Sequence, residues 1–187
     1  IRLWDPVKGT QVGRSLTGHV GPVRALCTFN TRHGDAWLAS VGDEGAIRIW
    51  DPDVGRPIGR PLKGPSCPMT CVVAFSAANG EPRLVTTGDD CIVRVWDPGN
   101  GRQLGRLSDG EENLCDVVLV GTNREGRTRL VTSGLDRSIR FWDIATGRMT
   151  YAMHALDYAE TIISFRYGDL AVSLDDGWAL LRLPPGV

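Results

Sequence analysis

The sequence lacks any apolar run approaching the roughly 20 residues that a membrane-crossing helix needs, and nothing at its start reads as a signal peptide. It also lacks charge of one sign. With 21 basic residues against 22 acidic ones, it offers no general attraction for nucleic acid or anionic lipid, and neither is expected as a partner. Histidine is scarce: His19, His33 and His154 are the only three, which leaves few general bases near neutral pH. The five cysteines, Cys27, Cys67, Cys71, Cys91 and Cys115, are odd in number and share no repeated spacing. Cys67 and Cys71 form a C-x3-C with no second Cys or His pair nearby, so neither a disulfide framework nor a zinc site is expected. Free thiols in a reducing, cytoplasmic compartment are the expectation. No segment sustains the three-to-four-residue apolar spacing of a helix.

What the sequence has is repetition. "IRLWDP" at 1–6 returns as "IRIWDP" at 47–52, "VRVWDP" at 93–98 and "IRFWDI" at 139–144, so that Trp4, Trp50, Trp96 and Trp142 stand 46 residues apart. A fixed period of this length marks a stacked-repeat architecture. Within one unit, "PVRALCTF" (22–29) predicts a short strand apolar on both faces, "AWLASV" a second, and "AIRIW" a third with period-two alternation. "RPIGRPL" predicts a fourth strand.

The turn after each Trp explains part of the repetition. Asp51 can accept backbone hydrogen bonds, Pro52 presets φ, and Gly55 can take the left-handed conformation. Asp5, Asp97 and Asp143 recur with Gly9, Gly101 and Gly147 at the same offsets. Four short antiparallel strands in so few residues cannot stand alone, and stacking face against face around an axis buries their apolar sides. Val23, Met69 and Cys115 correspond, as do Leu26, Val72 and Val118, and so do Ala25, Cys71 and Val117 on the opposite side of the same strand. The fold class expected is all-β, a β-propeller of four-stranded antiparallel blades. The units fall at 17–63, 64–109, 110–153 and a degenerate 154–187; residues 1–16 supply the last two strands of a preceding blade, or a ring-closing strand.

These features resemble the WD40-repeat family, through "TGHVGPV" at 17–23, "LASVGDEGAIRIWD" at 38–51 and the four Trp-Asp pairs. The resemblance implies a WD40-type propeller with about four blades here, part of a larger, typically seven-bladed ring. A ring completed by a second copy, and hence self-association, is the rival expectation. The family's hydrogen-bonded set of Asp, His, Ser/Thr and Trp carries over as His19, Ser40, Glu44 and Trp50 in the first unit. Thr86, Asp90 and Trp96 follow in the second, where Pro65 takes the His position, and Thr132, Asp136 and Trp142 in the third, where Glu111 does. His154 is the candidate for the same role in the last unit, at a spacing one residue too long, and the Trp position there holds Arg182.

No chemistry beyond turns and packing is readable. No G-x-S-x-G, H-E-x-x-H or Walker-type run occurs. The acid pairs Asp43-Glu44, Asp89-Asp90 and Asp175-Asp176 recur at one turn of different units, so they read as turn formers and not as a calcium site. Arg2, Arg48, Arg94 and Arg140 precede their Trp by two residues and are expected to lay their stems along it. The chain is therefore expected to be non-catalytic, with no metal and no cofactor. The resemblance implies an interaction scaffold for a protein or peptide, bound on the face carrying the turns before each third strand. Arg24, Thr70 and Asp116 correspond at the start of the first strands, and Asp43, Asp89 and Leu135 in the turns; these varying positions are the candidate partner-binding set. A regulatory module fused to an upstream kinase or nucleotide-hydrolysing domain is the alternative expectation, since Ile1 is no initiator Met.

Overall fold

The computed structural model describes residues 1–107, 115–122, 128–134, 136–154, 159–164, 170–174 and 177–181, and among them every regular element is a strand. β1 (Leu3–Asp5) pairs with β2 (Thr10–Val12) as a two-stranded piece. β3 (Val23–Asn30), β4 (Ala36–Gly42) and β5 (Ala46–Asp51) form the next sheet, edged by the short β6 (Arg56–Pro57) and β7 (Leu62–Lys63). β8 (Met69–Ser76), β9 (Pro82–Gly88), β10 (Val93–Asp97) and β11 (Arg102–Leu107) form a four-stranded antiparallel meander. So do β12 (Cys115–Thr122), β13 (Thr128–Gly134), β14 (Ser138–Asp143) and β15 (Arg148–His154). β16 (Ala159–Ser164), β17 (Leu170–Leu174) and β18 (Gly177–Leu181) make a three-stranded sheet.

The sheets are arrayed first strand beside first strand: β3 lies next to β8, β8 next to β12, and β12 next to β16. Alternation gives each sheet two unlike faces. In the first, Leu38, Ser40, Arg48 and Trp50 share one face through the pairs Leu38↔Trp50 and Ser40↔Arg48. Ala39, Val41, Ile47 and Ile49 share the other, and there they meet Met69, Leu84 and Trp96 of the next sheet. Val85, Val93 and Val95 of that sheet in turn meet Leu130 and Trp142 of the one after. Each Trp face thus covers the aliphatic face of the sheet before it, and the 46-residue repeat is the sequence record of that stacking. Trp50 is closed off by Leu16 and Ile1 in the same way.

The turns after the Trp residues hold the chemistry that the repeat predicts. Asp51 Oδ1 accepts from the N–H groups of Asp53 and Val54 at 3.0 Å each, and the Gly55 N–H donates to the Asp51 carbonyl at 2.9 Å with φ +71°. Gly9, Gly101 and Gly147 repeat the backbone bond at 2.8–2.9 Å.

Three expectations are corrected. The fourth strand of the first sheet is broken: β6 and β7 pair separately with β5, because Pro57 and Pro61 have no N–H and Gly59 between them has φ +65°. β11 and β15 carry Gln103, Leu107, Met149 and Met153 at the positions of those prolines and run unbroken. The first strand is not buried on both faces. Leu26 is 52% exposed where its counterpart Val72 is 3%, because β8 covers only one side of β3. His154 is an exposed residue at the end of β15, opposite Ser138 in the ladder, and is no buried hydrogen-bonding group.

Candidate functional site

Trp50, Trp96 and Trp142 each tie a third strand to the second. Trp50 Nε1–H donates to Ser40 Oγ at 2.8 Å, Trp96 Nε1–H to Thr86 Oγ1 at 2.9 Å, and Trp142 Nε1–H to Thr132 Oγ1 at 3.0 Å. In the first sheet the chain continues: Ser40 Oγ lies 2.6 Å from His19 Nε2, and His19 Nδ1 lies 2.6 Å from Glu44 Oε1, out of line for a good hydrogen bond. A neutral imidazole protonated on Nδ1 fits this order, with Ser40 O–H donating to Nε2. Burial is the main cause that holds the His19 pKa below its ordinary value, against the opposing pull of Glu44. The acid–His–Ser sequence, the set that the family resemblance implied, has the outline of a nucleophile relay. Ser40 is 0% exposed and its oxygen already receives the indole, so no substrate atom can approach it. Its work is structural.

The guanidinium groups of the arginines before Trp50, Trp96 and Trp142 are held by the turn acid four residues earlier: Arg48 Nε–Glu44 at 2.8 Å, Arg94 Nη2–Asp90 at 2.6 Å and Arg140 Nη2–Asp136 at 2.6 Å. In the second sheet Pro65 stands at the His position and has no donor to offer. Burial would raise the Asp136 pKa, but hydrogen bonds from Arg140 and Ser138 outweigh it and hold the carboxyl at about 2. Glu111 lies outside the described residues.

These frames fix the end of the sheets where the candidate residues stand. The first strands all slip by one residue near their start: between Val23 and Ala25, Met69 and Cys71, Cys115 and Val117, and Ala159 and Thr161. Arg24, Thr70 and Asp116 are therefore bulge residues, and so is Glu160, which the sequence reading missed because the last unit has lost the repeat spacing. A bulge turns its side chain out of the ladder and re-aims it. The turn before the third strand leans on the same place, with Asp43 N–H donating to the Pro22 carbonyl at 3.2 Å and Asp89 N–H to that of Pro68 at 3.0 Å.

Arg24 Nε meets Asp43 Oδ1 at 2.7 Å, and its pKa is raised by the hydrogen bond and charge of Asp43 with a smaller contribution from Asp89. Arg24, Asp43 and Asp89 thus form one charged neighbourhood spanning two sheets. Thr70 is turned toward Thr87, 3.4 Å oxygen to oxygen. Asp116 is placed by its backbone register alone, and Leu135 lies outside the described residues. Among the described residues no group of three or more His, Cys, Asp or Glu could hold a metal ion, and no helix is long and apolar enough to cross a membrane.

The family model described as "WD domain, G-beta repeat" matches residues 10–51 and 55–97. Residues 10–51 and 55–97 are WD40 repeats, and the fold is that of a β-propeller. Among solved structures it is similar to the crystal structure of the computationally designed Ika8 protein, with a TM-score of 0.74 and 22% identity over 97% of this chain. It spans 52% of the length of that protein. A comparison with curated proteins gave no match. WD40 repeats generally mediate protein–protein interaction and are typically non-catalytic.

Proposed function

We propose that this WD40 chain is a non-catalytic scaffold that binds a protein or peptide at the end of the sheets where the bulges and the acidic turns meet. The observation that carries this reading is the recurring bulge. The four larger sheets repeat the same backbone device at the same place, yet the residue at the bulge changes from Arg24 to Thr70 to Asp116 to Glu160. A rigid frame with differing side chains at equivalent points suits selective recognition, and conserved turn chemistry beneath it keeps those points in register. The charged set of Arg24, Asp43 and Asp89 favours a polar partner of mixed charge over an apolar one.

The test is a pull-down from cell extract with the wild-type chain and with an Arg24→Glu/Asp116→Arg variant, both checked for equal folding by circular dichroism. Loss of a partner from the variant supports the reading; unchanged recovery of every partner removes this end of the sheets from the binding site.

A further inference from the structure

The outer strands protect their free edges unequally. β6 and β7 are interrupted by prolines, and β15 carries a single arginine, Arg148. β11 is a continuous edge of six residues, paired on one side only, with β10, among the described residues, and Leu104 is the extra residue of a bulge opposite Val95/Trp96. Its Arg102 and Arg106 are both exposed. Arg24, Arg32, Arg48, Arg83, Arg94 and Arg140 each have a carboxylate within 4.0 Å, whereas Arg102 and Arg106 have none among the described residues. Leu104, between them, is 46% exposed.

We propose that the β11 edge accepts an extended acidic segment of a partner protein as an added strand. The backbone supplies the ladder, the two guanidinium groups take carboxylates, and Leu104 receives an apolar side chain. Charge complementarity names the occupant. A second copy laid along the same edge would bring the arginines of both copies together, which opposes self-pairing. Nucleic acid would find phosphate ligands here but no aromatic platform, since the strand is RQLGRL. The register also shapes the partner. Arg102 pairs with Asp97 and Arg106 with Arg94, across the shift at Val95/Trp96, so the two arginines project from opposite faces of the sheet. Acids three residues apart on a regular strand meet that requirement. This site is distinct from the bulge end and stands or falls separately.

The probe is the fluorescein-labelled peptide acetyl-Thr-Val-Glu-Thr-Val-Glu-Val-Thr-amide, titrated by fluorescence anisotropy. The expected result is binding that weakens with salt and falls about tenfold in Arg102→Glu/Arg106→Glu, with a smaller loss in Arg102→Gln/Arg106→Gln. A peptide with Gln in place of Glu, or one N-methylated at alternate residues, is expected to bind at least tenfold more weakly. Circular dichroism and urea unfolding check that the variants stay folded, and the Arg24→Glu/Asp116→Arg variant is expected to bind the peptide normally. No binding of the acidic peptide, no effect of charge reversal, full binding of the N-methylated peptide, or tighter binding of an oligothymidine of similar length would each overturn the proposal.

Discussion

Replacing Ser40 with Ala removes one oxygen atom from a site that is 0% exposed, and the structure gives that atom two partners. The Trp50 indole N–H, 2.8 Å away, and His19 Nε2, 2.6 Å away, both lose their only described partner at those atoms. Trp50 is 1% exposed, and the His19 side chain is 7% exposed, so water reaches neither freely. Stranding a buried polar group costs about 1–3 kcal/mol, so Ser40→Ala is expected to cost roughly 2–5 kcal/mol, near the top of the range for single substitutions. The comparison is Thr86→Val, which also removes only a hydroxyl and keeps the branched shape. It strands the Trp96 indole alone, bonded at 2.9 Å in the native chain, and is expected to cost about 1–3 kcal/mol.

Urea unfolding followed by tryptophan fluorescence measures both, with equal m-values required for the comparison. The difference of roughly 1–2 kcal/mol is the share that passes through His19, and a Ser40→Ala/His19→Ala double-mutant cycle should return a coupling of about the same size. A Ser40→Ala penalty no larger than that of Thr86→Val, or a coupling near zero, would refute the continuous Trp50–Ser40–His19 chain.

Two further outcomes follow from local geometry. Gly45 has φ +67°, and a Cβ there would overlap the Pro65 carbonyl oxygen, so Gly45→Ala should cost roughly 2–5 kcal/mol, read by thermal unfolding. Cys91 holds the equivalent turn position at φ +58° without being glycine. Cys91→Gly relieves left-handed strain at the expense of backbone entropy and should leave stability unchanged or raise it by up to about 1 kcal/mol. The pH dependence has two separable windows. His19 is held below its ordinary value of 6.5, so its contribution is complete above that value and is lost as pH falls through the folded pKa. The contribution of Asp136, held at about 2, is complete above 3.8 and is lost between there and about 2. Urea midpoints measured against pH should lose the first slope in His19→Gln and the second in Asp136→Asn.

The sequence shows what depends on one unit alone and hides what depends on a neighbour. Asp51, Pro52 and Gly55 specify a turn from their own backbone preferences, and the four copies differ little in the structure. The Trp–Ser/Thr bonds, contacts between adjacent strands of one repeat, were expected through the family resemblance and not from the residues alone. The arginine–acid pairs were not anticipated although they too are local. Glu44 and Arg48 sit at opposite ends of a turn-to-strand junction, so the acid reads as turn chemistry and the arginine as packing until the geometry joins them.

Leu26 and Val72 show the deeper limit. They occupy equivalent positions, yet one is 52% exposed and the other 3%. Nothing in either side chain distinguishes them, because burial on that face belongs to the sheet alongside. The same reasoning applies to the candidate interface. A bulge takes its residue out of the ladder register, as at Arg24, Thr70, Asp116 and Glu160, so the pairing of the strands places no periodic demand on residue type there. Their variation within a strict repeat is therefore permitted by the fold, and any selection acting on it must come from what the exposed end of the sheets touches.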